Sequence, residues 1–414
     1  MQITIQYACA RVGVILCTIN PYYQTGELMY ALKKGDVKAL FMPGSSSPQE
    51  VVNKFGKVLA DGLEHDKTIK VAEGEDQLLL EHIITMDGEA YSSLPLTKLP
   101  LKVHRLDKLK TGKSSADLDA SITGLVSPDD PAIIMYTSGT TGKAKGAFLS
   151  HFTMLNNARL ANIGFKREYD EISYCVPMPF FHSFAASFGC IAMTVSDFKL
   201  VTPCLRYNTA QVVEAVQKHR TTHITVTPTL AIDLMNYVKR TGSGAEMPSL
   251  KCVRSGGAPM PIEVVKQFLN TVPSVTDFRI GYGSTELGPA STHSRSWYTL
   301  EQRIDTVGTP CDFVEIKIVD PVTRKITKLG EPGEICSRGY NNMIGYWKDP
   351  VKTAEVLDQA GWYYTGDLGT LNENGFLKVV GRTKEMIIVG GENVYPREIE
   401  ELLHRFPGVG TASV

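Results

Sequence analysis

The sequence has almost no excess of either charge, since 43 lysine and arginine residues stand against 44 aspartate and glutamate residues. A surface that neutralises several nucleic-acid phosphates needs a clear excess of clustered cationic side chains. The charge balance therefore argues against nucleic acid as a partner. Any phosphate chemistry in this protein must be confined to a local site.

Cysteine pairs, long apolar runs and a leader pattern are also missing. The eight cysteines stand singly and never form a CxxC pattern, which favours reduced thiols and argues against a zinc site. No apolar run is long enough to cross a bilayer, and residues 1–20 lack the basic start and cleavage site of a signal peptide. We interpret residues 7–12 as the end of a core helix and 14–19 as a buried strand, so we expect the first domain to be incomplete.

The pattern that is present predicts an α/β protein. Between residues 131 and 310, apolar runs that end in Gly, Pro, Ser or Thr alternate with helical periods. This alternation predicts mixed, largely parallel sheets flanked by helices, with ligands at the carboxyl ends of the strands. Shorter alternating runs between 307 and 380 predict a small antiparallel β-subdomain. The pattern between 44 and 130 is weak, and we place no chemistry there.

The strongest local signal is YTSGTTGKAKG, residues 136–146, which directly follows the apolar run PAIIM. Glycines permit tight turns, hydroxyl and N–H groups can donate to phosphate oxygens, and two lysines supply charge. The combination predicts a phosphate-binding loop, although Gly, Ser and Thr also mark ordinary surface turns. The first glycine is wrongly spaced for a Walker A loop, and Ala144 replaces its magnesium-binding Ser or Thr, which argues against a P-loop hydrolase.

This segment resembles the signature of the adenylate-forming superfamily, which includes acyl-CoA synthetases, luciferases and the adenylation domains of peptide synthetases. The family usually has proline where this chain has Ala144, and alanine leaves the backbone freer without removing a donor. The resemblance implies a set of ATP-binding residues in this loop: Thr137, Ser138, Gly139, Thr140, Thr141, Gly142, Lys143, Ala144 and Lys145.

GYGSTE, residues 281–286, matches a second family segment and follows the apolar run DFRI. The resemblance implies that Tyr282 stacks on adenine, with Gly283 and Ser284 beside the nucleotide. It also implies that Thr285 touches the α-phosphate and Glu286 helps to hold Mg²⁺, which prefers carboxylate and phosphate oxygens. By itself, Glu286 would also suit the start of a helix.

Two further segments, YYTGDL and GRTK, match the family in the same order along the chain. The resemblance implies that Asp367 binds the ribose hydroxyls, that Arg382 makes a second ribose contact and that Lys384 acts as a hinge. An Asp-Leu-Gly turn would explain Asp367 without a ligand. The segments together are expected to surround a single AMP.

The acyl side of the site is predicted from SGGAP and PMPFFHSFA. The resemblance implies that Gly256, Gly257 and Ala258 line the adenine and acyl pockets, and that His182 lies near the acyl carboxylate. Without the family context, His182 beside three phenylalanines is more typical of a core histidine. It is not needed as a general base, because the attacking carboxylate is already ionised at neutral pH.

The last match, IIVGGENVYPREIEELL, resembles the loop that shapes the coenzyme A tunnel in the family. The residues assigned to this loop are Gly390, Gly391, Glu392 and Asn393. Val389 stands where relatives often carry a basic residue, which weakens any inferred contact with coenzyme A phosphates.

The resemblance also implies a domain organisation. We expect an AMP-binding N-terminal domain over 1–381, incomplete at its start and with a β-rich part over 307–381, a hinge over 382–384, and the start of a small α+β C-terminal domain over 385–414. The family's adenylation lysine lies beyond the GGENVYP segment, so we expect this chain to bind ATP weakly and to adenylate poorly.

Within the superfamily, NPYYQTGELMYALKKGDVKALFMP and VGRTKEMIIVGGENVYP look most like medium-chain fatty acyl-CoA synthetases of the acyl-CoA synthetase family member 2 type, which are mitochondrial in animals. The implied substrates are a fatty acid, ATP with Mg²⁺, and coenzyme A. Three alternatives stay open: an aryl-CoA ligase, a domain that loads a carrier protein, and a non-catalytic nucleotide- or acyl-binding relative.

Overall fold

The structure is a computed structural model that describes residues 2–42, 49–66, 76–85, 101–109, 122–137, 143–160, 171–204, 206–389, 392–404, 406, 409 and 412. The chain divides into two compact units, Met1–His151 with Ile344–Pro350 and Phe152–Met343 with Val351–Val414. We call them the first and the second unit.

The strands, in chain order, are β1 Leu16–Thr18, β2 Ala39–Phe41, β3 His82–Thr85, β4 Lys102–Arg105, β5 Pro131–Thr137, β6 Lys145–Ser150, β7 Ser173–Cys175, β8 Lys199–Val201, β9 His223–Val226, β10 Cys252–Ser255, β11 Asp277–Tyr282, β12 Thr292–His293, β13 Thr309–Pro310, β14 Val314–Val319, β15 Gly333–Gly339, β16 Gly345–Tyr346, β17 Tyr363–Leu371, β18 Leu377–Arg382, β19 Ile387–Val389 and β20 Glu392–Val394.

The α-helices are Gln2–Val12, Thr25–Lys34, Gln49–Asp66, His151–Leu160, Ser183–Ala185, Ala192–Ser196, Thr209–His219, Pro228–Thr241, Ile262–Thr271, Leu300–Asp305, Pro350–Val356 and Pro396–Leu403. A π-helical segment, Ala186–Ile191, lies between the two short helices on either side of it, and 3-10 turns cover Leu106–Lys108, Ser243–Glu246 and Thr285–Leu287.

The first unit contains two sheets, ordered β1-β5-β6-β16 and β2-β3-β4. The helix Thr25–Lys34 begins with a capping box, in which Glu27 accepts a 2.8 Å hydrogen bond from the backbone N–H of Gln24. Its apolar side, which includes Leu28 and Leu32, lies in one buried cluster with side chains of the helix Gln49–Asp66. Helix pairing and strand pairing thus form a local core in this unit.

The second unit contains a large sheet ordered β13-β12-β11-β10-β9-β7-β8. Its strands from β8 to β11 are parallel, whereas β12 and β13 are antiparallel. Val212, Leu234 and Phe268 come from three of the helices and are buried against this sheet. The prediction of a largely parallel sheet flanked by helices is confirmed.

A second sheet of this unit, ordered β14-β15-β17-β18, is antiparallel throughout, as the alternating runs between 307 and 380 predicted. The hairpin β19-β20 and the helix Pro396–Leu403 follow it. The domain boundaries predicted around residues 381–385 stay predictions. In the part of the chain that the structure describes, no helix has the length and apolar character needed to cross a membrane.

Two expectations about the N-terminal third were wrong. The helix Gln2–Val12 ends where predicted but does not lie in the core, because Gln6 is its one buried residue and Val12 is 49% exposed. β5 was expected in the large parallel sheet but pairs with β1 and, antiparallel, with β6. The link from β5 to β6 is too short for the crossover that parallel strands require.

The region between 44 and 130 holds more regular structure than its pattern suggested. It contributes a helix, Gln49–Asp66, and two parallel strands, β3 and β4. β4 consists of the residues KVHR and is mostly exposed, so it lacks the apolar run or alternation by which a strand is recognised.

Candidate functional site

The carboxyl ends of β10 and β11 bring two of the predicted segments together. These strands are parallel with Ser255 opposite Ile280, so SGGAP and GYGSTE begin at the same edge of the sheet. A Cβ atom at Gly256 would lie 3.2 Å from the carbonyl oxygen of Gly281. A side chain at position 256 would be in tight contact with that oxygen, so the close approach of the two segments favours glycine there, whereas Gly257 and Ala258 are exposed.

Tyr282, Asp367 and Arg382 form one hydrogen-bonded cluster, which we call the ribose cluster after its predicted role. The Tyr282 hydroxyl donates to Asp367 Oδ2 over 2.7 Å, and Arg382 Nε donates to Oδ1 over 3.2 Å. Asp367 and Arg382 are partners in the β17–β18 pairing, which places their side chains next to each other. The side chain of Asp367 is 19% exposed and that of Arg382 is 51% exposed, so the carboxylate is accessible from one side.

Asp367 lies within β17 rather than in the turn that the sequence suggested, and this segment is held by neighbours that sequence reasoning had not singled out. The backbone N–H of Asp367 donates to the Thr365 hydroxyl over 3.0 Å, and the N–H of Gly366 donates to Glu334 Oε1 over 3.0 Å. The Thr383 hydroxyl donates to the carbonyl oxygen of Gly366 over 3.1 Å. Gly366 has a φ of +74°, a conformation that suits glycine. These bonds set the position of the carboxylate through its backbone.

Burial and charge shift the pKa values of this cluster. Burial raises the pKa of Asp367, and the Tyr282 hydrogen bond and the Arg382 guanidinium act in the opposite direction. The negative charge of Glu286 adds to this rise in pKa. Burial and the charge of Asp367 raise the pKa of Tyr282 well above its ordinary value, so its hydroxyl remains a donor at neutral pH.

Glu286 lies in a 3-10 turn, Thr285–Leu287, whose backbone is anchored by buried amides. The carbonyl oxygen of Glu286 accepts a 2.8 Å bond from the N–H of Met343. The side-chain amide of Asn157 donates to the carbonyl oxygens of Leu287 and Ala290, over 3.4 and 2.8 Å. Asn341 donates to the same two oxygens over 3.4 and 3.3 Å. Glu286 itself is 8% exposed, so its side chain is largely buried at this turn.

His182 lies directly before the helix Ser183–Ala185, and its ring is in contact with that of Phe181 at a centroid distance of 4.4 Å. The side chain is exposed, which argues against the core-histidine alternative, although partial desolvation lowers its pKa. The neighbouring Ser183 is buried, and its hydroxyl lies 3.4 Å from that of Thr285. This places the His182 segment beside the predicted α-phosphate contact.

The described end of the glycine loop belongs to the first unit, and we call Lys143, Ala144 and Lys145 the loop end. The Tyr30 hydroxyl donates to the carbonyl oxygen of Ala144 over 2.9 Å, and Lys143 Nζ lies 5.5 Å from the Tyr30 ring centre. Lys145 Nζ donates to the Tyr346 hydroxyl over 3.2 Å and lies over its ring. Both lysines are therefore oriented by aromatic side chains.

Several predicted positions cannot be placed in this geometry. Ser138, Gly139, Thr140, Thr141 and Gly142 lie outside the described residues, as do Gly390 and Gly391. Thr137 ends β5, and Glu392 and Asn393 belong to the backbone of β20. Lys384 lies exposed in the turn after β18, where a hinge was predicted.

The chain offers one predicted magnesium ligand, Glu286. Among the residues that the structure describes, no group of three or more His, Cys, Asp or Glu side chains could hold a metal ion. A single carboxylate suits Mg²⁺ that arrives with ATP, because this ion keeps water and phosphate oxygens among its ligands. The role of Glu286 as a magnesium ligand stays a prediction.

The supporting residues that sequence reasoning missed are Tyr30, Asn157, Ser183, Glu334, Asn341 and Thr365. Each acts over a long sequence separation or through a backbone group, and even those that lie within a quoted segment, such as Ser183 and Thr365, had been given no role. Asn157 could have been noticed as a polar residue on the inner side of its helix, where it is fully buried.

The sequence matches a family model described as AMP-binding enzyme over residues 2–347. The chain is 32% identical over 421 residues to the human protein named medium-chain acyl-CoA ligase ACSF2, mitochondrial, an alignment that covers 100% of this chain and 66% of that protein. It is 33% identical over 420 residues to the Danio rerio protein of the same name, with the same coverage. The chain thus spans just under two thirds of the length of these relatives.

Solved structures share the fold. ATP-bound MatB from Rhodopseudomonas palustris has a TM-score of 0.76 at 24% identity, covering 100% of this chain and 72% of that chain. The anthranilate CoA ligase AuaEII in complex with anthranoyl-AMP has a TM-score of 0.79 at 21% identity, covering 99% and 71%. At these identities the likeness shows the fold alone, and it confirms the predicted fold class.

Proposed function

Since the chain belongs to the AMP-binding enzyme family, we propose that it is an ATP-dependent acid–thiol ligase. It would join a carboxylic acid to AMP and pass the acyl group to coenzyme A. The observation that carries this proposal is the ribose cluster. Three residues that were assigned to one nucleotide from separate motifs contact one another through Asp367. Their meeting supports a shared ligand.

The ribose cluster would bind the sugar of MgATP. A carboxylate can accept about four hydrogen bonds, and Tyr282 and Arg382 each occupy one site on a different oxygen. Both oxygens of Asp367 therefore retain acceptor capacity for the two ribose hydroxyls. The ring of Tyr282 would stack on adenine, while Thr285 would contact the α-phosphate and Glu286 the magnesium ion.

In the first step, a carboxylate oxygen of the acid attacks the α-phosphorus of ATP. The bond from that phosphorus to the bridging oxygen breaks, and pyrophosphate leaves with the electron pair. His182 would orient the acid, and it needs to remove no proton because the acid is already ionised. The lysines of the loop end would add positive charge for the phosphates. Catalysis then rests on positioning and charge neutralisation.

In the second step, the thiol of coenzyme A attacks the acyl carbon of the acyl-adenylate. The carbon–oxygen bond to AMP breaks, AMP leaves with the electron pair, and the thiol proton passes to solvent. Lys384, exposed after β18, would act as the hinge between the two steps, and the β19–β20 hairpin would guide coenzyme A.

We propose a medium-chain fatty acid as the acyl substrate, and a mitochondrial location, because the relatives at about one third identity carry both in their names. An aryl acid is the alternative substrate within the same chemistry. No contact in the described residues distinguishes the two, so the experiment must do so.

The test measures acid-dependent exchange of labelled pyrophosphate into ATP, with hexanoate, decanoate, palmitate and benzoate as acids. A second assay follows AMP formation with and without coenzyme A. We expect exchange that depends on the acid, is strongest with decanoate, is slow because poor adenylation is expected of this chain, and is followed by coenzyme A-dependent release of AMP.

ADP as the product, or nucleotide turnover that is independent of any acid, would contradict the ligase proposal. A preference for benzoate would keep the ligase and replace the fatty acid. Binding of MgATP without exchange for any acid would favour the non-catalytic alternative.

A further inference from the structure

Tyr282 presents two chemically different groups to the site. Its ring has a predicted role as an adenine platform, which an aromatic face alone can fulfil. Its hydroxyl has no part in stacking, yet it donates to Asp367 Oδ2 over 2.7 Å. This bond needs an explanation of its own.

The bond joins two different sheets of the second unit. Tyr282 ends β11 in the large sheet, whereas Asp367 lies within β17 of the antiparallel sheet, 85 residues later. Arg382 approaches the opposite carboxylate oxygen from β18. The carboxylate is thus held on both oxygens by donors from separate strands, which limits its rotation.

We propose that the Tyr282 hydroxyl is a positioning group that holds the Asp367 carboxylate ready for the ribose diol, and so determines the preference for nucleotides with both ribose hydroxyls. This inference rests on the proposed function, because it requires that Asp367 binds ribose. Tyr282 would then contact adenine directly through its ring and would act on the ribose indirectly, through Asp367.

The charges around Asp367 explain why a neutral donor is useful there. Arg382 faces the carboxylate from β18, and the carboxylate of Glu286 raises its pKa from the turn Thr285–Leu287. On β15, Glu334 also faces it, since Asp367 raises the pKa of Glu334. Burial and negative charge thus raise the pKa of Asp367, and the exposed guanidinium of Arg382 lowers it. A half-buried hydroxyl donor stabilises the ionised carboxylate by a hydrogen bond. Unlike a second cation, it adds no positive charge to which a nucleotide phosphate would be drawn.

The test variant is Tyr282→Phe, which keeps the ring and removes the hydroxyl. Calorimetry would measure the Kd of ATP and of 2′,3′-dideoxy-ATP for both proteins. We expect the affinity for ATP to fall about fivefold, and that for the dideoxy nucleotide to change less than about twofold, since a single hydrogen bond to a charged group is lost. The ratio of the two affinities reports on the ribose contact independently of the fraction of folded protein.

Two controls separate this effect from a general loss of structure. Tyr298→Phe removes another partly buried hydroxyl of the same unit, which lies 2.8 Å from Thr309 Oγ1, and should leave both affinities unchanged. Tyr282→Leu also removes the ring and should weaken both nucleotides by a further, equal factor. In Tyr282→Phe, the loss of ATP affinity on acidification should begin at a higher pH, because the carboxylate has lost a donor to its ionised form.

The outcomes separate the inference from the function on which it rests. A wild-type protein that fails to bind ATP, or that binds dideoxy-ATP equally well, overturns the proposed ribose site and the inference with it. Wild-type discrimination that survives unchanged in Tyr282→Phe overturns the inference alone. An equal loss for both nucleotides, or an unshifted pH profile, would also assign the hydroxyl a purely structural role.

Discussion

The ribose cluster and the loop end were both predicted from motifs, but they are organised differently. In the ribose cluster, the predicted residues Tyr282, Asp367 and Arg382 contact one another. In the loop end, Ala144 and Lys145 are bonded to Tyr30 and Tyr346, which had no predicted role. One site is assembled from motif residues, and the other is held in place by residues from outside the motif.

The difference follows from the elements that carry the two sets of residues. Paired strands place Asp367 and Arg382 next to each other, so the backbone pairing itself brings these two side chains together. The loop end leads into β6 and is positioned by Tyr30 and Tyr346, whose side chains come from distant parts of the sequence.

The largest expected effect comes from the centre of the ribose cluster. Asp367→Asn keeps the shape but loses the charge, so two hydrogen bonds to ribose weaken and Arg382 loses its ion pair. We expect ATP affinity to fall on the order of 100-fold by calorimetry. Asp305→Asn is the matched control, because Asp305 pairs with Lys378 at a partly exposed position, and its effect should stay within about twofold.

The pH dependence of ATP binding reports on the same carboxylate. Burial raises the folded-state pKa of Asp367, and ribose binding needs the ionised form. Affinity should therefore be complete above this raised pKa and decrease as the pH falls through it. An equally steep acidic decrease in Asp367→Asn would show that another group is responsible.

The second prediction concerns the corner that carries Glu286. Asn157→Ala leaves the buried carbonyl oxygens of Leu287 and Ala290 with one donor fewer, and should lower the free energy of unfolding by about 2 kcal/mol in urea titration. Asn156→Ala is the control, because the neighbouring amide is exposed and bonds only within its helix. Equal stabilities of the two variants would remove Asn157 from the supports of the site.

The smallest effect is expected at the loop end. Tyr30→Phe removes the hydroxyl that holds the Ala144 carbonyl and should weaken ATP binding about threefold, the range of one neutral hydrogen bond. AMP lacks the outer phosphates, so its affinity should change less. Tyr22→Phe, at an exposed tyrosine of the same segment, should leave both affinities unchanged. A loss that is the same for ATP and AMP would contradict a phosphate role for the loop end.

Prediction from sequence succeeded where a motif directly follows an apolar strand. SGGAP and GYGSTE were expected at the carboxyl ends of strands, and the parallel pair β10–β11 places them there. It failed where strands are short or exposed, as in β4, and where pairing depends on the length of a connection, as in β5. Periodicity reports how a segment is buried but does not report which segment lies beside it.

The residues that hold the site in place could not be predicted from the sequence for the same reason. Asn157 contacts Ala290 over a separation of 133 residues, and Tyr30 contacts Ala144 over 114. Neither polar side chain has a local pattern that specifies its partner. A single sequence therefore predicts which residues carry the chemistry, but it does not predict which residues hold them in place.

By itself, the sequence determined the family, the α/β class and the residue types of a nucleotide site, because glycines, hydroxyls and carboxylates at fixed spacing carry their chemistry in local order. Only the tertiary structure decided that the Tyr282 hydroxyl meets Asp367 and that buried amides hold the turn of Glu286. Contacts of this kind depend on how sheets and helices pack, and packing is a property of the whole chain rather than of any one segment.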